Sequence, residues 1–136
     1  MTLPFACFLV AIKWESSHSG LEPLTEVEII AATTREDGSL GLPGGKLDVG
    51  ESPEDCVRRE SAEEGWLLPD SAKLILDHSA EVNGRLVHWY RSDVFPVLMD
   101  SWKEKTRGIS PVETSPMWLV QKSPNMGNEF LLLESK

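Results

Sequence analysis

Two apolar stretches in the first third of the chain have the length and residue types of buried β-strands. They are residues 5–12 (FACFLVAI) and residues 26–34 (EVEIIAATT), the second rich in β-branched side chains. An Asp-Gly turn is predicted directly afterwards, at residues 35–39, and leads into a glycine-rich loop at residues 41–45. Later strands are predicted for residues 73–76, 85–94 and 117–120.

The strongest local signal predicts a helix in the middle of the chain. Ser52 is a favourable N-cap, Pro53 suits the first helical position, and the two acidic residues that follow complement the positive end of the helix dipole. Gly65 is a natural C-terminal stop, so the helix is expected to run to about Glu64.

A single domain, residues 1–136, is expected because no repeat, low-complexity tract or charge block divides the chain. A short final helix is also predicted, beginning at Ser123-Pro124 and running through residues 128–133. Strands on both sides of one strong helix predict an α/β or α+β sandwich.

The acidic composition narrows the classes of partner. Thirteen basic and 22 acidic residues give a formal net charge of −9. This charge argues against a nucleic-acid polymer, because binding to a phosphate backbone needs a basic face. A small phosphorylated ligand remains compatible with it when divalent cations neutralise the carboxylates.

Two features bear on the location of the protein. The longest apolar run, residues 3–12, is interrupted by Pro4 and is too short to span a bilayer, so no membrane association is expected. The same segment lacks the basic start and the small-residue cleavage site of a secretory signal. Cys7 and Cys56 are the only cysteines and allow no disulfide framework, which favours a reducing, cytoplasmic setting.

Three carboxylates share one face of the predicted helix. At about 100° per residue, Glu60, Glu63 and Glu64 fall within a narrow arc, and like charges at this spacing repel one another. Such a face is common as a solvated acidic surface, which is the better interpretation of the triplet taken alone. It can also bind a hard cation such as Mg²⁺ or Mn²⁺, with substrate phosphates completing the coordination.

The spacing upstream of these carboxylates resembles a known motif. Five residues separate Gly45 from Glu51, and seven more separate Glu51 from Arg59-Glu60, which begins the string RESAEE. Residues 42–45 are LPGG. Together they resemble the Nudix box, G-x5-E-x7-R-E-U-x-E-E-x-G-U with U a bulky apolar residue, and the LPGG that usually precedes it. By this resemblance the chain is identified as a member of the Nudix (MutT-like) hydrolases.

Similarity to this family implies a fold and a metal site. The fold would be a mixed β-sheet flanked by helices, with a loop-helix-loop that binds one or more divalent cations, Mg²⁺ or Mn²⁺. The implied metal ligands are the Gly45 carbonyl and the carboxylates of Glu60, Glu63 and Glu64. Arg59 would orient Glu60 by a charge-assisted hydrogen bond, and Glu51 would brace the loop or reach a metal-bound water.

The implied reaction is an attack of water on phosphorus without a covalent enzyme intermediate. The metals would polarise the phosphates and lower the pKa of the water, and a carboxylate of the helix would accept its proton. The implied catalytic residues are Glu63, Arg59 and Glu51, and which carboxylate is the general base stays open.

Three features depart from the family pattern. Trp66 stands where the box has a glycine, and Gly65 lies one place early, so a helix that ends one residue sooner could shift Glu64. Ser61 replaces a usual apolar residue, and Leu40 stands where many relatives have tryptophan. None of these changes removes an implied ligand.

Three residues outside the box are candidates for contact with the substrate. Arg35, at a strand end before the glycine-rich loop, could touch a phosphate, or it is a solvated turn residue. Glu113 could supply an extra carboxylate for metal or base recognition, or it is a solvated loop residue. Trp118 could stack on a base, although core packing is the commoner role for a tryptophan.

Hydrolysis of a nucleoside diphosphate linked to a moiety X is the leading function hypothesis. Within it, a compact chain with little beyond the box is most similar to MutT-like (d)NTP pyrophosphohydrolases. The enzymatic alternatives are ADP-ribose and dinucleoside polyphosphates. A non-catalytic, nucleotide-binding regulatory module is the alternative from another class, and retention of all the box carboxylates disfavours it. In each case the ligand is a small nucleotide, and a homodimer is compatible with the sequence.

Overall fold

The computed structural model describes residues 2–17 and 25–121 of the chain. Its strands are Ala6–Val10 (β1), Ile12–Ser17 (β2), Thr25–Thr34 (β3), Leu40–Gly41 (β4), Gly44–Lys46 (β5), Trp66–Leu67 (β6), Leu74–Val82 (β7), Arg85–Ser92 (β8), Val97–Leu98 (β9) and Pro111–Thr114 (β10). Its helices are Pro53–Glu63 (α1), the 3-10 helix Lys103–Arg107 and Pro116–Gln121 (α2).

The strands form two main sheets and one small one. The first sheet has the order β5-β1-β8-β7, in which β1 and β8 are parallel and the other neighbours are antiparallel. The second has the antiparallel order β10-β3-β2, with β4 also paired to β3, and β6 pairs with β9. The mixed sheets with their helices confirm the predicted α+β sandwich.

Each face of the first sheet packs against its own hydrophobic cluster. Cys7 and Leu9 of β1 pack with Val57 of α1, whereas Val10 packs with Leu119 of α2 on the opposite face. This alternation follows from the period of two in a β-strand. Helix α1 is therefore attached directly to the strand that pairs with the glycine-rich loop.

Helix α1 begins and ends where the sequence predicts. The Ser52 hydroxyl accepts a hydrogen bond of 3.1 Å from the backbone N–H of Asp55, and Pro53 is the first helical residue. Glu64 is the C-cap, and Gly65 follows with a φ of +102°. A Cβ at Gly65 would lie 2.5 Å from the Cγ of Pro111, so close approach and positive φ both require glycine here.

The predicted strand 5–12 is divided between the two sheets. Strand β1 belongs to the first sheet and β2 to the second, and the chain changes sheet at Ala11, whose carbonyl accepts from the Ala31 N–H at 3.0 Å. An uninterrupted apolar run gives no local signal for this change, because its last residue, Ile12, is as apolar as the residues of β1. The predicted strands 26–34 and 85–94 are confirmed as β3 and β8, and 73–76 is the start of the longer β7.

The predicted strand at residues 117–120 is wrong, because these residues lie in helix α2. Pro116 is the first residue of that helix, and the Leu119 N–H donates to the Ser115 carbonyl at 3.0 Å. A four-residue apolar run fits either structure, and the proline at the first helical position was the decisive signal. The predicted helix 128–133 lies outside the described residues.

Within residues 2–17 and 25–121, no helix has both the length and the apolar character needed to cross a membrane.

Candidate active site

Two glycines of β5 bring the loop against the first sheet. Gly44 has a φ of +150°, and a Cβ there would lie 2.2 Å from the carbonyl oxygen of Cys7. On the other side, the Cys56 thiol of α1 donates to the carbonyl oxygens of Gly45 and Lys46, both at 3.5 Å. The loop is thus held between β1 and α1, which fixes where the helix carboxylates meet it.

The carboxylate of Glu60 lies against Gly45. A Cβ at Gly45 would be 2.5 Å from Oε2 of Glu60, so only glycine leaves room for the carboxylate in this position. Burial raises the pKa of Glu60, and the Arg59 guanidinium opposes that rise. A carboxylate that is partly removed from water, next to a glycine with no side chain to cover it, is suited to binding a cation.

Arg59 connects three carboxylates. Its Nε donates to Glu51 at 2.7 Å, and its Nη1 donates to Glu60 and to Glu63, each at 2.9 Å. Its Nη2 donates to the Lys46 carbonyl at 3.0 Å and so ties the helix to the loop. These contacts raise the pKa of Arg59 and offset the repulsion between the acidic side chains of one helix face.

Glu51 fixes the position of Arg59. Besides the bond to Nε, its Oε1 accepts from Nη2 of Arg59 at 3.0 Å, which makes the pair bidentate. The same oxygen accepts from the Asp48 N–H at 3.1 Å. The Arg59 hydrogen bond, followed by this backbone bond, lowers the pKa of Glu51. Glu51 thus connects Arg59 to the loop backbone at Asp48, and its role, whether bracing the loop or reaching a metal-bound water, stays a prediction.

Glu64 is turned inward at the end of α1. It is 7% exposed, and its Oε1 accepts a hydrogen bond of 2.9 Å from the Gly44 N–H. Burial raises the pKa of Glu64 to about 8, although the Gly44 hydrogen bond opposes the rise. The charge of Glu60 adds a smaller rise, and Arg35 a smaller opposing effect. The displaced glycine therefore ends the helix at Glu63 without removing Glu64 from the loop.

Two residues of the 3-10 helix also belong to this region, and no periodic pattern along the chain predicts them. Lys103 places its Nζ 3.4 Å from Oε1 of Glu63. The charge of Glu104 contributes to the raised pKa of Glu64, and its carboxylate accepts from Arg107 at 2.9 Å. Glu104 therefore adds a negative charge that acts on Glu64 from outside the helix.

Of the three candidates for substrate contact, Arg35 lies close to the glycine-rich loop. A Cβ at Gly41 would lie 2.2 Å from an Nη atom of Arg35, so the guanidinium covers that glycine. Glu113 lies on β10 in an ion pair with Lys13 of β2. Trp118 lies in α2, and its side chain is not among those described.

The residue that replaces the glycine of the family pattern is part of the core. Trp66 is 1% exposed, and its Nε1–H donates to the Ala32 carbonyl at 2.7 Å. Its ring meets Phe95 edge to face, with 5.6 Å between the ring centroids. Neither of these interactions involves a carboxylate of α1. Ser61, the other departure in the helix, is fully buried.

The donor set fits a hard divalent cation, although the side chains are engaged with one another. Among the described residues, no three His, Cys, Asp or Glu side chains converge closely enough to hold a metal ion as they stand. The available donors are oxygens, which Mg²⁺ and Mn²⁺ prefer. Two of them, on Glu60 and Glu64, have pKa values raised by burial, so Arg59 and the Gly44 N–H compensate their charged forms only in part. The residues fit the cation by the chemistry of their donor atoms.

A loop, a helix with a carboxylate face and a mixed sheet define the class of protein, and the comparisons with known proteins agree. A model of the NUDIX domain matches residues 24–121, more than two thirds of the chain, and the chain therefore belongs to the NUDIX family. It is a Nudix hydrolase, which acts on pyrophosphate bonds of acid anhydrides. Such hydrolases generally use divalent metals and act on small molecules.

Several solved structures share the fold. An Ap4A hydrolase from C. elegans, in a binary complex, is 15% identical with a TM-score of 0.60, covering 98% of this chain and 96% of its own. The Nudix hydrolase RenU from M. smegmatis is 12% identical with a TM-score of 0.58, and the match covers 96% of this chain and 83% of its own. A NUDIX-family hydrolase from Clostridium perfringens is 10% identical with a TM-score of 0.58, and the match covers 99% of this chain and 96% of its own. No curated protein matches the sequence. At these identities the likeness concerns the fold.

Proposed function

We propose that the chain hydrolyses the pyrophosphate linkage of a nucleoside diphosphate joined to a moiety X, with a (d)NTP as substrate and Mg²⁺ or Mn²⁺ as cofactor. The observation that supports it is the contact of loop and helix, in which Glu60 lies against Gly45 while Arg59 joins it to Glu51 and Glu63. A solvated acidic surface has no need to bury Glu64 behind the loop, because an uncompensated buried carboxylate is destabilising.

The proposed metal ligands are the Gly45 carbonyl and the carboxylates of Glu60, Glu63 and Glu64. When bound, the divalent cation supplies Lewis acidity at the phosphates and lowers the pKa of water. Arg59 restrains Glu60 and Glu63 from one side through bonds of 2.9 Å, and Glu51 holds Arg59 in place.

Glu63 is proposed to accept the proton of the attacking water. Its two carboxylate oxygens face different cations, since Oε2 accepts from Arg59 at 2.9 Å and Oε1 lies 3.4 Å from Lys103. The Lys103 side chain is exposed and can leave this pair, which frees an oxygen for the proton. Arg35, beside Gly41, is proposed to contact a phosphate oxygen. Glu113 and Trp118 stay predictions of substrate contact.

A panel assay tests the proposal. It measures phosphate and pyrophosphate release from dNTPs, 8-oxo-dGTP, ADP-ribose and diadenosine polyphosphates, with Mg²⁺ or Mn²⁺ and with EDTA. We expect turnover on a (d)NTP that EDTA abolishes and that falls at least about 100-fold in Glu60→Gln. The fold similarity to the C. elegans Ap4A hydrolase is the reason that dinucleoside polyphosphates are included. Metal-dependent nucleotide binding without any turnover would instead support the regulatory-module alternative.

Gly45→Ala tests the loop-helix contact without removing a carboxylate. The new Cβ would lie 2.5 Å from Oε2 of Glu60 and must displace it, so we expect kcat/KM to fall by about 10- to 100-fold. Gly84→Ala is the matched control, because that glycine has a φ of +78° in the β7–β8 hairpin with open space around it. The control should lose some thermal stability and keep its activity. Equal activities of the two variants would contradict the proposed position of Glu60.

A further inference from the structure

A cleft of about 450 Å³ opens beside the C-terminal half of α1. It is lined by Ala62 and Glu63 of the helix and by Met99, Ser101, Trp102 and Lys103 of the segment that follows β9. The cleft is shallow and open to solvent. Because Glu63 belongs both to the cleft and to the carboxylates bound by Arg59, a ligand in the cleft lies next to the proposed reaction site.

The aromatic wall of the cleft is held in a fixed orientation. Trp102 is half-buried, and its Nε1–H donates to the Ile109 carbonyl at 2.7 Å. The ammonium of Lys105 lies 5.2 Å from the centroid of its ring. The indole is therefore positioned before any ligand binds, which reduces the entropic cost of stacking on it.

The charged wall of the cleft is at the helix end. The Lys103 ammonium is 71% exposed and is 3.4 Å from Glu63, on the same side as the proposed reaction site. Met99 adds a polarisable thioether to the apolar part. A ligand that has both a planar aromatic group and an anionic group would stack on Trp102 and place its negative charge near Lys103.

From this arrangement we infer that the cleft binds the nucleobase of the substrate, stacked on Trp102, with the phosphate chain directed past Lys103 toward Glu63. The inference rests on the proposed function, because it assigns one part of the nucleotide to a place beside that site. Every base has a π-face, so stacking alone gives a preference for nucleotides over other phosphate esters and little choice among bases.

Kinetics on two substrates test the inference. The substrates are the best nucleoside triphosphate of the panel and methyl triphosphate, which has the same anhydride bonds and no base. We expect Trp102→Leu to raise KM for the nucleotide by about 10-fold or more and to leave KM for methyl triphosphate unchanged, with Trp102→Phe between wild type and Trp102→Leu. Trp14→Leu, on β2, removes a tryptophan that is 61% exposed and should change neither constant. Equal effects of Trp102→Leu on both substrates would overturn the inference.

Direct binding separates this inference from the proposed function. Fluorescence of 2-aminopurine riboside 5′-monophosphate is quenched on stacking, so it reports the contact with an indole in an enzyme with or without turnover. We expect quenching with wild type and Trp14→Leu and at least about a 10-fold weaker affinity with Trp102→Leu. Ala62→Phe narrows the cleft and keeps the indole, so it should weaken binding too. No quenching by wild type, or unchanged affinity in both cleft variants, would overturn the inference. Failure of turnover with intact quenching would overturn only the proposed function.

Discussion

Glu64→Gln is expected to unfold at a higher temperature than the wild type in EDTA at pH 9, and to lose turnover by about 100-fold or more. The two effects have one physical origin. The wild-type carboxylate is 7% exposed and accepts a single backbone hydrogen bond, from Gly44. A glutamine keeps that hydrogen bond through its carbonyl oxygen and removes a buried negative charge.

The stability gain should depend on pH in a defined direction. Burial raises the pKa of Glu64 from its ordinary 4.5 to about 8 in the folded protein. Between these values the folded chain holds a proton that the unfolded chain has released, so wild-type stability falls as pH rises through this window. Above about pH 8 the wild type has lost this contribution to its stability completely. There the free energy of unfolding of Glu64→Gln should exceed that of the wild type by a few kcal/mol. At pH 4.5 and below, the contribution of this residue to the difference should vanish.

Thermal unfolding at pH 4.5, 7 and 9 in EDTA measures this difference. Glu81→Gln, which removes an exposed carboxylate on β7, is the matched control and should follow the wild type at every pH. Adding Mg²⁺ should raise the unfolding temperature of the wild type by mass action and that of Glu64→Gln much less. A variant less stable than the wild type at pH 9 would contradict a buried, uncompensated carboxylate. A fully active variant would exclude Glu64 as a metal ligand.

The site was predictable from the sequence where its geometry is local. Ser52, Pro53 and Gly65 define the ends of α1, and the i, i+3 and i+4 spacing places its carboxylates on one face. The contact of Glu60 with Gly45 needs the loop to fold back on the helix, and only the motif spacing indicated it. The resemblance to the Nudix box therefore indicated the contact between loop and helix, which helix geometry alone does not predict.

Other parts depend on contacts between distant positions, which periodicity does not report. Strands β6 and β9 are two residues each and exist through the pairing of Trp66 with Leu98, far apart in sequence. Lys103 and Glu104 reach α1 from a 3-10 helix without an apolar pattern. The charge of Glu104 acts on Glu64, which no pattern in the sequence indicated, and the role expected for Glu113 stays a prediction.

Trp66→Ala is expected to destabilise the protein by about 3–5 kcal/mol, because it removes a large buried ring. It also leaves the Ala32 carbonyl without the indole N–H that now donates to it at 2.7 Å, and removes the ring contact with Phe95. Trp14→Ala is the control, since the Trp14 side chain is 61% exposed and its loss should change the free energy of unfolding by less than about 0.5 kcal/mol. Chemical denaturation of both variants measures the difference.

The activity of Trp66→Ala decides what the departure from the family pattern means. The tryptophan packs in the core against Phe95 and donates to the Ala32 carbonyl rather than to a carboxylate. The folded variant should therefore keep metal-dependent turnover within about threefold at a temperature well below its unfolding. Its loss of activity should appear only on heating, in step with unfolding. A folded variant without activity would mean that the tryptophan, at the start of β6, positions Glu64, the C-cap of α1 two residues earlier. In that case Trp66→Phe, which keeps most of the packing and lacks the N–H donor, should recover turnover. Its free energy of unfolding should still lie below that of the wild type.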